Sequence, residues 1–110
     1  MKKKYRVKNP IEFQHIIHKG SKFANVSFVL YVEEKGTISS RIGISLSKKI
    51  GNAVERNRIK RQVRMMCQEL VNFDTYPKDL IIIVRFGYKN LNYSNNKKNL
   101  EKLLIKATIK

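Results

Sequence analysis

Residues 41–64 read RIGISLSKKIGNAVERNRIKRQVR, and within this stretch the apolar period changes from two to 3.6. In Arg41 to Ser47, Ile42, Ile44 and Leu46 alternate with Gly43, Ser45 and Ser47. That alternation predicts a strand with an apolar core face and an opposite face kept low by small side chains. Asn52-Ala53-Val54-Glu55 has the pattern of a capping box, so a helix is predicted from about Ala53. Projected at 100° per residue, Ile59, Val63, Met66 and Leu70 form its apolar stripe, with Cys67 at the margin. Asn57, Lys60, Arg61 and Arg64 fall on the opposite side and Arg58 flanks them, while Arg56 projects near the apolar margin toward the sheet edge. A strand leading directly into a basic helix is the unit around which the rest of the chain is arranged.

Upstream, Asn9-Pro10-Ile11-Glu12 carries helix-start chemistry: a capping side chain, a proline suited to the first turn and a carboxylate able to reach back. Phe13, Ile16 and Ile17 then share one face, and Gly20 stops the helix. From Ser27 to Glu33 the period is two, with Phe28, Leu30 and Val32 on one face and Val29 and Tyr31 on the other. Lys35-Gly36 is turn chemistry. Downstream, Leu80-Ile81-Ile82-Ile83-Val84 is an unbroken apolar run, as expected of a central strand covered on part of both faces. Asn90 to Asn99 reads as a polar loop entering a last helix, whose inner side is Leu100, Leu103, Leu104 and Ala107. The order is helix, two or three strands, helix, strand, helix: an α+β fold in a single domain over 1–110.

The 110 residues carry 24 Lys and Arg against eight Asp and Glu, a formal charge of +16, with 42% apolar residues. The apolar content excludes a disordered basic tail. A compact body so charged repels itself and is matched to a polyanion. Within residues 48–64 only Glu55 is acidic, so the basic face lacks the acids with which a solvated helix forms i,i+4 pairs. Such unpaired guanidinium groups suit phosphate. The face opposite the sheet core, with Val29, Tyr31 and Ser45, describes a shallow trough with an apolar floor and an aromatic ring.

The lone Cys67 has no partner for an internal disulfide, and no Cys/His set has zinc spacing. This fits a reducing, cytoplasmic setting. Met1 to Lys8 is basic but lacks the apolar stretch of a secretory signal, and no run has the length to span a bilayer. The eight acids are scattered, which argues against a protein-borne two-metal site, so no catalytic or metal-ligating residue is assigned. His15 and His18 could share a helix face, and read as surface side chains rather than an acid–base pair.

Lys48-Lys49-Ile50-Gly51-Asn52-Ala53-Val54, followed by Arg56-Asn57-Arg58-Ile59-Lys60-Arg61, resembles the Arg-Asn-Arg motif of the bacterial ribonuclease P protein subunit. The resemblance extends over nearly the whole chain, through Phe13, the Phe28–Tyr31 and Arg41–Ser45 strands, the Ile-rich strand and the closing helix. It implies a compact two-layer sandwich of order αβββαβα, with a left-handed βαβ crossover where the residues alone favour a right-handed one. It also implies a non-catalytic subunit of an RNA-based endoribonuclease that removes the 5′ leader of precursor tRNA. The implied partners are the catalytic RNA and precursor tRNA, with neither a membrane nor a small-molecule substrate. Mg2+ would be bound mainly by the RNA. On this resemblance Asn57, Arg58, Lys60, Arg61 and Arg64 would contact the catalytic RNA. Phe13, Ile17, Val29, Tyr31, Ser45, Lys49 and Arg56 would line the cleft for the single-stranded leader. Core packing is the competing reading for Phe13 and Tyr31, and an aliphatic floor contact is the expectation for Ile17. A structural RNA-binding protein without an enzymatic partnership, or a protein-only nuclease, would share the charge.

Overall fold

The computed structural model describes residues 6, 7, 9–34, 41–72 and 78–109. Its elements are α1 (Pro10–Lys19), β1 (Ser21–Ala24), β2 (Phe28–Glu34), β3 (Arg41–Leu46), α2 (Ala53–Leu70), β4 (Lys78–Val84) and α3 (Tyr93–Ile109). The expected α+β order αβββαβα is therefore present, and the uncertain third strand is the short β1. The Lys35-Gly36 turn lies outside the described residues, as does most of the basic stretch Met1 to Lys8.

The sheet order is β1-β2-β4-β3. β4 is antiparallel to β2 and parallel to β3, so it occupies the interior position that its uninterrupted apolar run requires. The link from β3 to β4 is a crossover through α2. Residues 6 and 7 add to the free edge of β3, where Arg6 bridges Ile42 and the Val7 N–H donates to the Ile42 carbonyl at 3.0 Å.

Opposed residues share a sheet face, so the register sorts the side chains into layers. Phe28, Leu30, Val32, Ile42, Leu80, Ile82 and Val84 point to one face and pack under α2 and α3 in the main core. From α2 this core takes Ile59, Val63 and Met66, and from α3 Leu100, Leu103, Leu104 and Ala107, as the periodicity predicts. Cys67 does not sit at the margin of that stripe but is fully buried, because the α3 layer closes over its side of α2. On the other face α1 lays Ile16 against Val7 and Ile81, with Phe13, Ile17, Tyr31 and Ile83 around them.

Asn9 caps α1 by accepting the Ile11 N–H at 2.8 Å, with Pro10 in the first turn. Glu12 pairs with Arg41 of β3, tying the helix start to the sheet. Gly20 ends the helix where a Cβ would meet the Ile16 carbonyl at 2.6 Å and the Val32 carbonyl at 2.9 Å.

The asparagine-rich stretch departs from the expected loop: α3 begins at Tyr93, and Asn92 accepts the Asn95 N–H at 2.9 Å as its cap. Asn96 is buried, accepting from Ser27 Oγ at 2.7 Å and donating to the Tyr88 carbonyl at 3.0 Å. Asn99 donates to the same Ser27 Oγ at 2.9 Å. Asn96 and Asn99, which look like loop composition, are the polar clasp between α3 and the β1–β2 connection, and the buried Asn96 has the partners that burial demands.

Candidate nucleic-acid interface

Three rows cross the face of the sheet that carries α1. Glu33, Asp79 and Arg41 form the first; Lys22, Tyr31, Ile81 and Gly43 the second; Ala24, Val29, Ile83 and Ser45 the third. α1 lies obliquely over them. Its Glu12, His15 and Lys19 side covers the first row, where Arg41 Nη2 reaches Asp79 Oδ2 at 3.0 Å and also pairs with Glu12. His15 Nε2 meets Glu33 Oε1 at 3.0 Å in the same region, and His18 is exposed. Phe13 and Ile17 lie on the other flank of the helix and border the second row. In the third row Val29, Ile83 and Ser45 are half-buried and Ala24 is exposed.

The trough is therefore the strip between the Phe13–Ile17 flank of α1 and the C-terminal ends of β3 and β4. Phe13, Ile17, Val29, Tyr31 and Ser45 are each half-buried: packed at the base, open above. Phe13 owes its depth to Gly43, since a Cβ at that position would lie 2.7 Å from Phe13 Cε2 and 2.7 Å from Ile81 Cδ1. Small residues on this strand thus do what the alternation suggests, by letting an aromatic ring settle onto the sheet.

Hydrogen bonding to Asp79, and secondarily to Glu12, raises the pKa of Arg41 above the ordinary guanidinium range. Arg41 is thus a permanently charged rivet inside the fold rather than a ligand-facing cation. Asp79 beneath it is fully buried.

The β3–α2 junction stands at the open end of the trough. Lys48–Ile50 forms one 3-10 turn capped by Ser47, whose Oγ accepts the Lys49 N–H at 3.2 Å, and both lysines are exposed. Asn52 then caps α2 by accepting the Glu55 N–H at 2.9 Å, as the capping pattern predicts. The Glu55 carboxylate pairs with Lys89, with Oε2 at 3.2 Å from Nζ. That partner, more than any other group, holds Glu55 below the usual carboxylate range.

Along α2 the cations divide by helical phase. Asn57, Arg58 and Arg61 are exposed, while Arg56, Lys60 and Arg64 are half-buried and recur at every fourth residue. The second set faces the free edge of β3. Burial, and then the charge of Arg6 on the residues bridging Ile42, lowers the pKa of Arg64 from its ordinary value. Because β3 and β4 are parallel and joined through α2, α2 runs back along β3, and its first turn, with Arg56, stands near the strand exit. Arg56 consequently shares a row with Lys60 and Arg64 as well as standing nearest the trough. Arg56, Arg58, Lys60, Arg61 and Arg64 form no ion pair with a described residue. A ridge of five cations that form no ion pair with a described residue, beside an open apolar strip, is suited to two stretches of phosphate backbone.

Ile83 is a floor residue that sequence reasoning missed. It lies between Val29 and Ser45 in the open row, and only the parity shared with Ile81 and Asp79 could have distinguished it within the isoleucine run. Lys22 and Ala24 extend the second and third rows on β1, a four-residue edge strand too short to show a period. Among the described residues no three His, Cys, Asp or Glu side chains converge as metal ligands. None of the described helices is long and apolar enough to cross a membrane.

Comparison with known proteins bears on what this surface serves. A family model described as Ribonuclease P matches residues 1–108. The ribonuclease P protein component of Listeria monocytogenes serotype 4a is 46% identical over 101 residues, covering 91% of this chain and 85% of that protein. That of Oceanobacillus iheyensis is 47% identical over 107 residues, covering 96% and 88%. Among solved structures, a Staphylococcus aureus RNase P protein mutant with defective mRNA degradation activity superposes with a TM-score of 0.87 at 38% identity, covering 96% of this chain and 90% of that one. The Thermotoga maritima RNase P protein gives a TM-score of 0.78 at 25% identity, covering 90% and 94%.

Proposed function

The chain belongs to the ribonuclease P protein family, and from that membership we propose that it binds the catalytic RNA of ribonuclease P and the 5′ leader of precursor tRNA at once. In this role it assists removal of the leader without supplying the reacting groups. The observation that carries the proposal is the pairing of two surfaces on one rigid body. α2 presents five cations that form no ion pair with a described residue, and the strip beside its first turn is open and apolar.

On α2, Asn57, Arg58, Lys60, Arg61 and Arg64 take the catalytic RNA. Guanidinium forks bind phosphate oxygens two at a time, and each neutralised phosphate releases counterions, so affinity falls steeply with salt. In the trough, the Tyr31 ring stacks on unpaired bases and the Phe13 ring packs against them, over a floor of Ile17, Val29 and Ile83. Ser45, Lys49 and Arg56 hold the sugar–phosphate chain. Stacking contributes roughly 1–3 kcal/mol per base and tolerates every base, which suits leaders of varied sequence.

Bound Mg2+ would supply the Lewis acid and the activated water of phosphodiester hydrolysis. In this reading its ligands come mainly from the RNA. The protein's contribution is to hold substrate and catalyst in register and to screen the repulsion between two polyanions.

Reconstitution tests this directly. Purified protein mixed with a bacterial ribonuclease P RNA is expected to stimulate precursor cleavage at low Mg2+, where RNA–RNA repulsion is least screened. A protein that binds the RNA but leaves that rate unchanged is a structural RNA-binding protein instead.

A further inference from the structure

Just past the C-terminal end of β4 the chain holds an aromatic ring that the core does not use. Phe86 is 61% exposed, follows Arg85 directly and opens the 3-10 segment Phe86–Asn90. The segment itself is firmly seated. Tyr88 is buried edge-on against Phe28 with ring centroids 5.6 Å apart, and its hydroxyl donates to Gln62 Oε1 at 2.7 Å. Lys89 Nζ donates to the Ile50 carbonyl at 2.8 Å. Phe86 is therefore held outward by a fixed turn, at the side of the 3-10 turn that carries Lys48 and Lys49.

Val26, in the β1–β2 connection, is 57% exposed and lies alongside. A Cβ on Gly87 would come within 2.7 Å of Val26 Cγ2. Phe86 and Val26 so make a small apolar ledge, and its surroundings are cationic. Lys89 Nζ stands over one face of the Phe86 ring, 5.7 Å from the centroid, and is shared with Glu55 at 3.2 Å. Arg85 Nη1 donates to the Asn25 carbonyl at 2.8 Å, next to Val26. Ile83 is on the trough floor, and Phe86 is three residues further along the chain, a reach of about 10 Å in extended geometry. A ledge of two side chains is far smaller than the roughly 800 Å² per partner of a stable protein interface. An exposed ring flanked by cations instead matches a base flanked by phosphates.

Resting on the reading of the trough as a single-strand site, the geometry points to Phe86 as a further nucleotide subsite at its mouth: one unpaired base stacks on the ring face away from Lys89, beside Val26. Arg85 and Lys49 are placed for the flanking phosphates. The strand is thereby held past the third row, between the trough and the start of α2.

The test uses reconstituted holoenzyme and precursor tRNAs with 2-aminopurine at successive leader positions, a base whose fluorescence is quenched by stacking. Wild type and Phe86→Tyr are expected to quench one particular position, and Phe86→Ala to release it. Affinity should fall about tenfold in Phe86→Ala for leaders that reach that position, and stay unchanged for shorter ones. Phe86→Leu should behave as Phe86→Ala; retained affinity in Phe86→Leu would replace stacking with a plain apolar contact and overturn the subsite. Unaltered quenching and affinity in all Phe86 variants, while Tyr31→Ala weakens leader binding, would overturn the subsite and leave the trough standing. If wild type shows no preference for leader-bearing precursor, both fall. The urea midpoint of each variant confirms that the exposed ring was removed without loss of the fold.

Discussion

The ring of Phe13 rests on the backbone of Gly43, so closely that a Cβ there would lie 2.7 Å from Phe13 Cε2. One glycine on β3 thus sets how deep the wall of the trough sits. Gly43→Ala is expected to push the ring and Ile81 outward and to destabilise the fold by about 1–3 kcal/mol, as overpacking does. Leader affinity should fall with it. Ser45→Ala, two residues along in the open row, should change the unfolding free energy from urea titration by less than about 0.5 kcal/mol. Equal stabilities for the two variants would show that Phe13 does not depend on the glycine.

Arg41 ties the start of α1 to the sheet through Glu12 and the fully buried Asp79. Arg41→Met should cost about 3 kcal/mol in chemical denaturation, because the buried carboxylate loses its main counter-charge. Adding Asp79→Leu should recover part of that loss, since replacing both members with apolar groups removes the desolvation penalty. Strict additivity of the two changes would contradict the coupling.

Burial pushes the Cys67 thiol up to about 12. The native protein should therefore resist thiol reagents at pH 8 and react only as it unfolds globally. The sign of the pH effect follows from linkage: the folded state holds the proton more tightly than the unfolded one. Its contribution is complete below the unfolded pKa near 9 and is lost as pH rises from there toward 12. Rapid labelling of Cys67 at pH 8 in native conditions would show that α3 does not seal that side of α2.

Much of this was legible in the chain. The two periods on either side of Ser47 define β3 and α2, and Asn9 and Asn52 mark two helix starts that the structure realises as caps. The cationic ridge was legible because charge without nearby acid is a local property of sequence. The sheet order was not: β4 separates β2 from β3, and pairing between distant segments leaves no local trace. Ile83 as a floor residue depended on that pairing. Asn96 and Asn99 misled as loop composition because their partner, Ser27, lies some seventy positions away in the chain and only packing brings them together.

The salt dependence of assembly separates the two surfaces. Arg61 is exposed on the ridge and forms no ion pair with a described residue, so Arg61→Ala should weaken binding to the catalytic RNA. It should also make the slope of log affinity against log salt shallower by about one. Tyr31→Ala should leave that slope unchanged.

The most direct measurement compares these same two variants in reconstituted holoenzyme, reading RNA-subunit affinity and the preference for leader-bearing precursor over mature tRNA in parallel. Tyr31→Ala should lose leader preference by about 1–3 kcal/mol while assembly is retained, and Arg61→Ala should weaken assembly while leader preference, measured at saturating protein, is retained. Equal losses of both quantities in both variants would contradict the claim that one rigid body grips two strands through separate surfaces.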